Sequence, residues 1–322
     1  MDAPLLMLGE IHTCAVPNST ALVRTAAEEL LTVMPGRLVE WRERPNSLAV
    51  SPIMAEGFDC RLPTPSGAAM RAIGTAAVTG QIAGGRILQS SAWTRIRRAR
   101  APKREPWSYY LAAVGTGEVI TQVTPRTGTD LIEGFLQART PSRDALDLAS
   151  ISRRLLAELG MGLALDQRAP LHSGTTRLRW AARIGETGPA PLMFRLEDDR
   201  VRTVLITVGD EAELAQVGRF CADLARHDWL LGVAAAVMDE ADSVPATDLD
   251  SAEAIIGPLL AGFIHLWAPG AHTPALVRGL WQDIERDPGF SAEWSARLGH
   301  LHGRMSVATL AAFRRPRVGS TD

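Results

Sequence analysis

Hydrophobic and polar positions change period several times along the chain, and each change predicts an element. Residues 5–16 combine aliphatic side chains with an alternating second part, Ile11 and Thr13 on one side and His12 and Cys14 on the other, which predicts a strand. Asn18, Ser19 and Thr20 then offer capping oxygens to a helix over 21–34. There Leu22, Ala26, Leu30 and Val33 recur at helical spacing until Pro35 and Gly36 end the run. Two further strands, 37–44 and 47–53, are expected around a turn at Pro45 and Asn46. From 58 to 98 the pattern is short β-type runs punctuated by Gly67, Gly74, Gly80, Gly84 and Gly85, with 86–96 the clearest strand. Residues 106–114 predict a short helical turn.

Turn chemistry at both ends of 121–141 places a domain junction there. The second half opens with an amphipathic helix over 144–159, whose stripe is Leu148, Ile151, Leu155 and Leu159 and whose stop is Gly160. Three strands follow at 176–184, 192–197 and 201–208, joined by a turn at 185–188 and another at Asp198 and Asp199, and they read as a meander. The remainder is helical: 211–239 as one helix or two, then 252–267, 274–285 and 291–313. The apolar stretch 254–269 is too short for a membrane span and contains Pro258 and His265, so a buried helix is expected and no span. The expected fold class is α+β. Residues 1–140 form a mixed β-sheet domain with one or two helices, and 141–322 a three-stranded meander followed by a helical bundle.

Composition narrows the function. A chain of 322 residues, 46% apolar, can bury a sizeable core unaided. Three cysteines, Cys14, Cys60 and Cys221, are too few and scattered for a disulfide framework or a four-thiolate zinc site, and the first residues lack a basic leader, so a cytoplasmic location is expected. Net charge is −2, divided as +3 over 1–140 and −5 over 141–322. Of the 34 basic residues only Lys103 is lysine. It sits between Pro102 and Pro106 with no glycine-rich turn before it, which argues against P-loop, kinase and Schiff-base chemistry. No Gly-x-Ser-x-Gly elbow and no dinucleotide fingerprint occurs.

The densest chemical feature is the run Arg95, Arg97, Arg98, Arg100, Lys103 and Arg104, flanked by Trp93 and Trp107. Arginines interleaved with aromatics suit backbone neutralisation and base stacking, and on a strand Arg95 and Arg97 share the face of Trp93. The plainer alternative is a solvated strand end that pairs with acids of the second half or of a partner. His227 and Asp228 invite a base and its orienter, but neighbours on a helix point about 100° apart. His12 and Cys14, on one side of the first strand, would allow a thiolate-imidazole pair, with Cys60 a second thiol; buried structural cysteines are the plainer reading. The histidines lack helical metal-pair spacing, so no metal and no cofactor is expected, and no catalytic residue is assigned.

Several phrases carry a resemblance when taken together: 8–14 (LGEIHTC), 59–64 (DCRLPT), 85–95 (GRILQSSAWTR), 196–199 with 201–203, 227–231 (HDWLL) and 265–270 (HLWAPG). They resemble, over nearly the whole chain, a family of actinobacterial, chiefly Streptomyces-type, proteins to which no reaction is assigned. The resemblance implies a gene neighbourhood shared with a variant P-loop protein and a SAM-dependent methyltransferase-like protein. The expected function is therefore a non-enzymatic accessory or adaptor subunit working through protein contacts. The alternatives are a nucleic-acid-binding component using the Arg95–Arg104 run, and a thiol- or histidine-dependent enzyme.

Overall fold

The strand expected at 5–16 forms as β1 (Leu6–Ala15), and it takes the middle of the sheet. The computed structural model describes residues 5–65, 69–100, 103–120, 126–138, 144–171, 173–186, 188 and 190–314. After β1 come helix α1 (Arg24–Leu31), the short pair β2 (Glu40–Arg42) and β3 (Leu48–Val50), and three long strands, β4 (Met54–Pro63), β5 (Ala69–Ala83) and β6 (Ile87–Arg98). Helix α2 (Trp107–Leu111), strand β7 (Thr116–Val119) and helix α3 (Thr127–Gln137) lead to α4 (Leu148–Gly160), which Asp147 caps by accepting the Ser150 amide. Strands β8 (Thr176–Ile184), β9 (Ala190–Leu196) and β10 (Val201–Val208) complete the sheet. Then follow α5 (Glu211–Leu214), α6 (Val217–Ser243), α7 (Leu249–Gly262), α8 (Leu280–Arg286) and α9 (Phe290–Arg314), with 3₁₀ turns at Ile264–Leu266 and Ala275–Val277.

The mixture of helices with a mixed sheet is the α+β class, and the sheet order is β2-β3-β5-β7-β6-β1-β8-β10-β9, with β4 also on β5. Two expectations are corrected. The strands after 176 are not a meander: β8 and β10 are parallel neighbours, from Val201 opposite Arg177 to Val208 opposite Ile184, and β9 lies outside them. The burial patterns give the reason. Most of β10 is buried, whereas β9 is largely exposed and suits an edge. Part of the expected turn, Thr187, lies outside the described residues. Of the glycines in 58–98, Gly84 and Gly85 do break the run, forming the turn from β5 to β6, but Gly74 and Gly80 sit inside the fifteen-residue β5 because neighbours approach there. A Cβ on Gly74 would lie 2.2 Å from the Thr116 carbonyl oxygen of β7, and one on Gly80 2.5 Å from Leu159 of α4. Gly67 lies outside the described residues.

One sheet runs through both halves of the chain, since β1 pairs with β8 from Met7 opposite Ala182 to Thr13 opposite Thr176. Of the expected junction, 126–138 contains α3, which packs on β8, β4 and β1; 121–125 and 139–143 lie outside the described residues.

Alternation along β1 sorts its side chains between two cores. Leu6, Leu8, Glu10, His12 and Cys14 face α3 and α4, while Met7, Gly9, Ile11 and Thr13 face α6. On the first face Glu10 is 1% exposed. It accepts Arg177 at 2.7 and 2.6 Å and Arg179 at 2.7 Å, and Arg179 passes on to the Phe135 carbonyl at 3.0 Å and to that of Ala138, closing the end of α3. Ser90 and Ser152 exchange hydrogen bonds that pin α4 to β6. On the second face α6 lies against the sheet, and α7 and α9 pack over α6. The stretch Leu249–Leu266 is long and apolar enough to cross a membrane by composition, with a mean hydropathy of 1.3; here α7 buries Ala252, Ile256 and Leu259 within the fold.

Gly9 determines how closely that second layer sits. Its register partners are Trp93 and Trp180, and the Trp180 ring lies across it so closely that a Cβ would be 2.2 Å from Cε2. Gly9→Ala is therefore expected to destabilise by about 1–3 kcal/mol in urea unfolding. Adding Trp180→Leu to that variant should cost less than the sum of the two single changes. A wild-type midpoint for Gly9→Ala would mean that Trp180 is not held against β1.

Candidate functional site

Helix α6 carries four polar side chains within six residues, Asp223, Arg226, His227 and Asp228, and buries all of them. Helical spacing places each. Asp223 Oδ1 stands 3.5 Å from the Arg226 guanidinium at i+3, and the Asp223 carbonyl accepts His227 Nδ1 at 2.7 Å at i+4. His227 Nε2 accepts the Ala268 amide at 3.1 Å, so both ring nitrogens are used and burial holds the ring neutral. Asp228 turns away to Arg202 at 3.0 Å. The two neighbours are thus separate anchors. Thr273 donates to Asp223 Oδ2 at 2.9 Å and accepts Trp281 Nε1 at 2.9 Å, which fixes the loop after α7 against α6.

The stripe of α6 facing the sheet is small, Gly218 and Ala222, and ends one turn later at Arg226. A cavity of about 330 Å³ lies between helix and sheet here. Ser91, Trp93 and Arg95 of β6, Met7 and Ile11 of β1 and Trp180 of β8 line its sheet side. Glu40 and Arg42 of β2, Leu48 and Val50 of β3, Arg219 and Arg226 of α6, and His272 complete much of the wall.

Seven buried side-chain atoms among the described residues have no hydrogen-bond partner within the protein. Four belong to residues lining this cavity: Ser91 Oγ, Trp180 Nε1, Arg226 Nε and His272 Nε2. Two more, Gln89 Oε1 and Asp223 Oδ1, belong to residues that touch the lining through Ala222 and Arg226. An orphaned buried polar atom costs about 1–3 kcal/mol, and its usual explanation is a water, ion or ligand. The charge is one-sided. Four arginines face one carboxylate, Glu40, and Glu40 is taken by Arg42 at 3.0 and 2.6 Å. Arg95 and Arg219 have no ion pair among the described residues. Burial, then the Arg226 charge, pushes His272 down to about 4, so it is neutral at pH 7.

The basic run divides. Trp93 and Arg95 face the cavity, whereas Arg97 is taken by Glu118 at 2.7 Å and Tyr109 at 3.1 Å. Arg98, Arg100 and Lys103 are exposed, and Arg104 lies 5.2 Å over the Trp107 ring and 3.9 Å from Asp59. The thiol candidates do not converge. His12 Nδ1 lies 3.0 Å from Ser152 Oγ, and burial lowers the ring to about 4 against the opposing pull of Glu10. Burial pushes the Cys14 and Cys60 thiols up to about 12, Asp59 adding to the rise at Cys60. Cys14 is level with Ile82 of β5 through Leu88, whereas Cys60 is opposite Ala72, on the order of 30 Å away along β5. No group of three or more metal-ligating side chains converges among the described residues.

Sequence reasoning did not find Arg226, Ser91 or Trp180, and it weighed His272 only as a metal ligand beside His265, without the spacing for one. The signal for Arg226 was faint: a helix apolar around its circumference that still holds Asp223, Arg226, His227 and Asp228 must satisfy or use them. Comparisons of the chain with protein-family models, with curated proteins and with solved structures find no match.

Three histidines held neutral make the fold acid-sensitive. An unfolded histidine titrates near 6.5, so the stability contributed by His12 and His272 is complete above that pH and is lost as the pH falls toward 4. Urea unfolding should show it at a slope of up to about 1.4 kcal/mol per pH unit for each histidine. His12→Gln should flatten the profile between pH 6.5 and 4.5 relative to the unaltered protein; identical slopes would show that His12 is not the titrating group.

Proposed function

We propose that the protein acts by binding: it holds a small anionic molecule in the cavity between α6 and the sheet, as an accessory subunit of a larger assembly. The observation carrying this reading is that four residues lining one arginine-rich space, Ser91, Trp180, Arg226 and His272, each hold a buried polar atom without a partner in the protein. Pockets of this kind, apolar with a few convergent polar groups, are the common form of small-molecule sites. Calorimetric titration with phosphate, sulfate and citrate at constant ionic strength tests it. At least one anion should bind saturably, and Arg226→Met, checked for folding by near-ultraviolet circular dichroism, should weaken it at least tenfold. Equal heats in both proteins would remove the cavity as the site.

The adaptor role has its own support in the surface. Arg98, Arg100, Lys103, Arg104 and Trp107 remain on the outside, where a partner can reach them. In this reading the partners are the variant P-loop protein and the methyltransferase-like protein. Nucleic acid is the alternative occupant of the same patch, and it predicts an affinity falling steeply with salt. Pull-down at low and high salt separates the two, since protein partners that survive nuclease and high salt favour the first.

A further inference from the structure

We infer that the cavity takes a phosphomonoester carrying a planar aromatic ring, of the nucleoside monophosphate type, with its phosphate on Arg226 and its ring on Trp93. This deepens the binding reading above and rests on it. Charge selects the head group. Arg42 is neutralised by Glu40, and Asp223 offsets one of the remaining cations, Arg95, Arg219 and Arg226, so the cavity keeps an excess of about two positive charges. A phosphomonoester near −2 at neutral pH matches that excess, whereas a monocarboxylate leaves half of it uncompensated.

Geometry agrees with charge. Arg226 lines the cavity at 3% exposure with only the distant Asp223 carboxylate beside it at 3.5 Å, and a planar guanidinium pairs two of its N–H groups with a phosphate. Ser91 and the neutral His272 line the same cavity without adding charge. Along β6, Ser91, Trp93 and Arg95 follow on one face at intervals of about 7 Å, so a donor, a flat indole and a cation stand in line. Trp93 is half-buried, and the adjoining wall of Leu48 and Val50 is apolar, which suits a stacked base. A volume of about 330 Å³ is at the small end for ligand sites and admits a single mononucleotide. The pairing of Trp93 with Arg95 thus faces the cavity, toward a monomer, while Trp107 and Arg104 pair on the surface.

Calorimetry on the full chain with AMP, GMP, adenosine, inorganic phosphate and benzoate decides the matter. AMP or GMP should bind at least tenfold more tightly than phosphate, adenosine or benzoate. Trp93→Leu should weaken the nucleotide about tenfold and leave phosphate unchanged, the effect of a lost base stack. Arg226→Met should abolish both. Should that variant not fold, Arg219→Gln at the exposed rim should still weaken the nucleotide several-fold and reduce its salt dependence. Phosphate that binds through Arg226 with no gain from the nucleoside, or benzoate that binds better than AMP, overturns the inference and leaves anion binding in place. A nucleotide affinity indifferent to Trp93→Leu overturns the ring placement. No Arg226-dependent binding of any anion, here or with sulfate and citrate, overturns both readings.

Discussion

The contact between Gly9 and the Trp180 ring is the reference from which the α6 face of the molecule is built. Because β1 offers no side chain there, an indole from β8 lies over the central strand, and a Cβ on Gly218 of α6 would stand 3.7 Å from that ring. Helix and sheet are thereby held at a fixed separation by an aromatic spacer. Beyond the spacer the helix brings Arg219, exposed at the rim, and the small Ala222 before it reaches Arg226, and a small residue next to a spacer leaves a gap. The cavity is a consequence of packing, and its polarity comes from what happens to border it.

The two faces of β1 treat buried charge in opposite ways. Opposite α3 and α4, Glu10 is saturated by Arg177 and Arg179, and Arg179 also closes the end of a helix, so each partner is accounted for. Such a network fixes one arrangement of strands and helix. Opposite α6, Arg226 has a single carboxylate beside it, at the long distance of 3.5 Å, and donors around it are left over. A protein able to satisfy its buried polar atoms on one face and not on the other points to a use for the second.

How much of this could be read in advance follows from the range of the forces involved. Local periodicity was enough for β1, for α4 with its stripe and stop, for the three strands after 176 and for α9. Order within the sheet depends on which strands meet, and nothing local distinguishes β8-β9-β10 from β8-β10-β9. Gly74 and Gly80 resemble breaks in the sequence, although they are openings for Thr116 and Leu159, which are distant in the chain. Trp93 and Arg95 stood out by composition and do face the cavity, but their partners Arg226 and His272 come from a helix and a loop more than a hundred residues away. The tie of His227 to the Asp223 carbonyl lay within one helix and was legible in principle from the i+4 spacing; adjacency drew attention to Asp228 instead.

The central place of β1 bears on how the chain comes to be folded at all. Glu10 waits for Arg177, 167 residues later, and at a synthesis rate of about 5–20 residues per second that interval is roughly 10–30 s. β6 can cover one side of β1 earlier, but the side meant for β8 stays an open edge flanked by Leu6, Met7, Leu8 and Ile11. Unpaired apolar edges of this kind recruit other strands. The nascent amino-terminal half is accordingly a stage that ribosome-associated chaperones have reason to shield, and the pairing of β8 with β1 is what releases it.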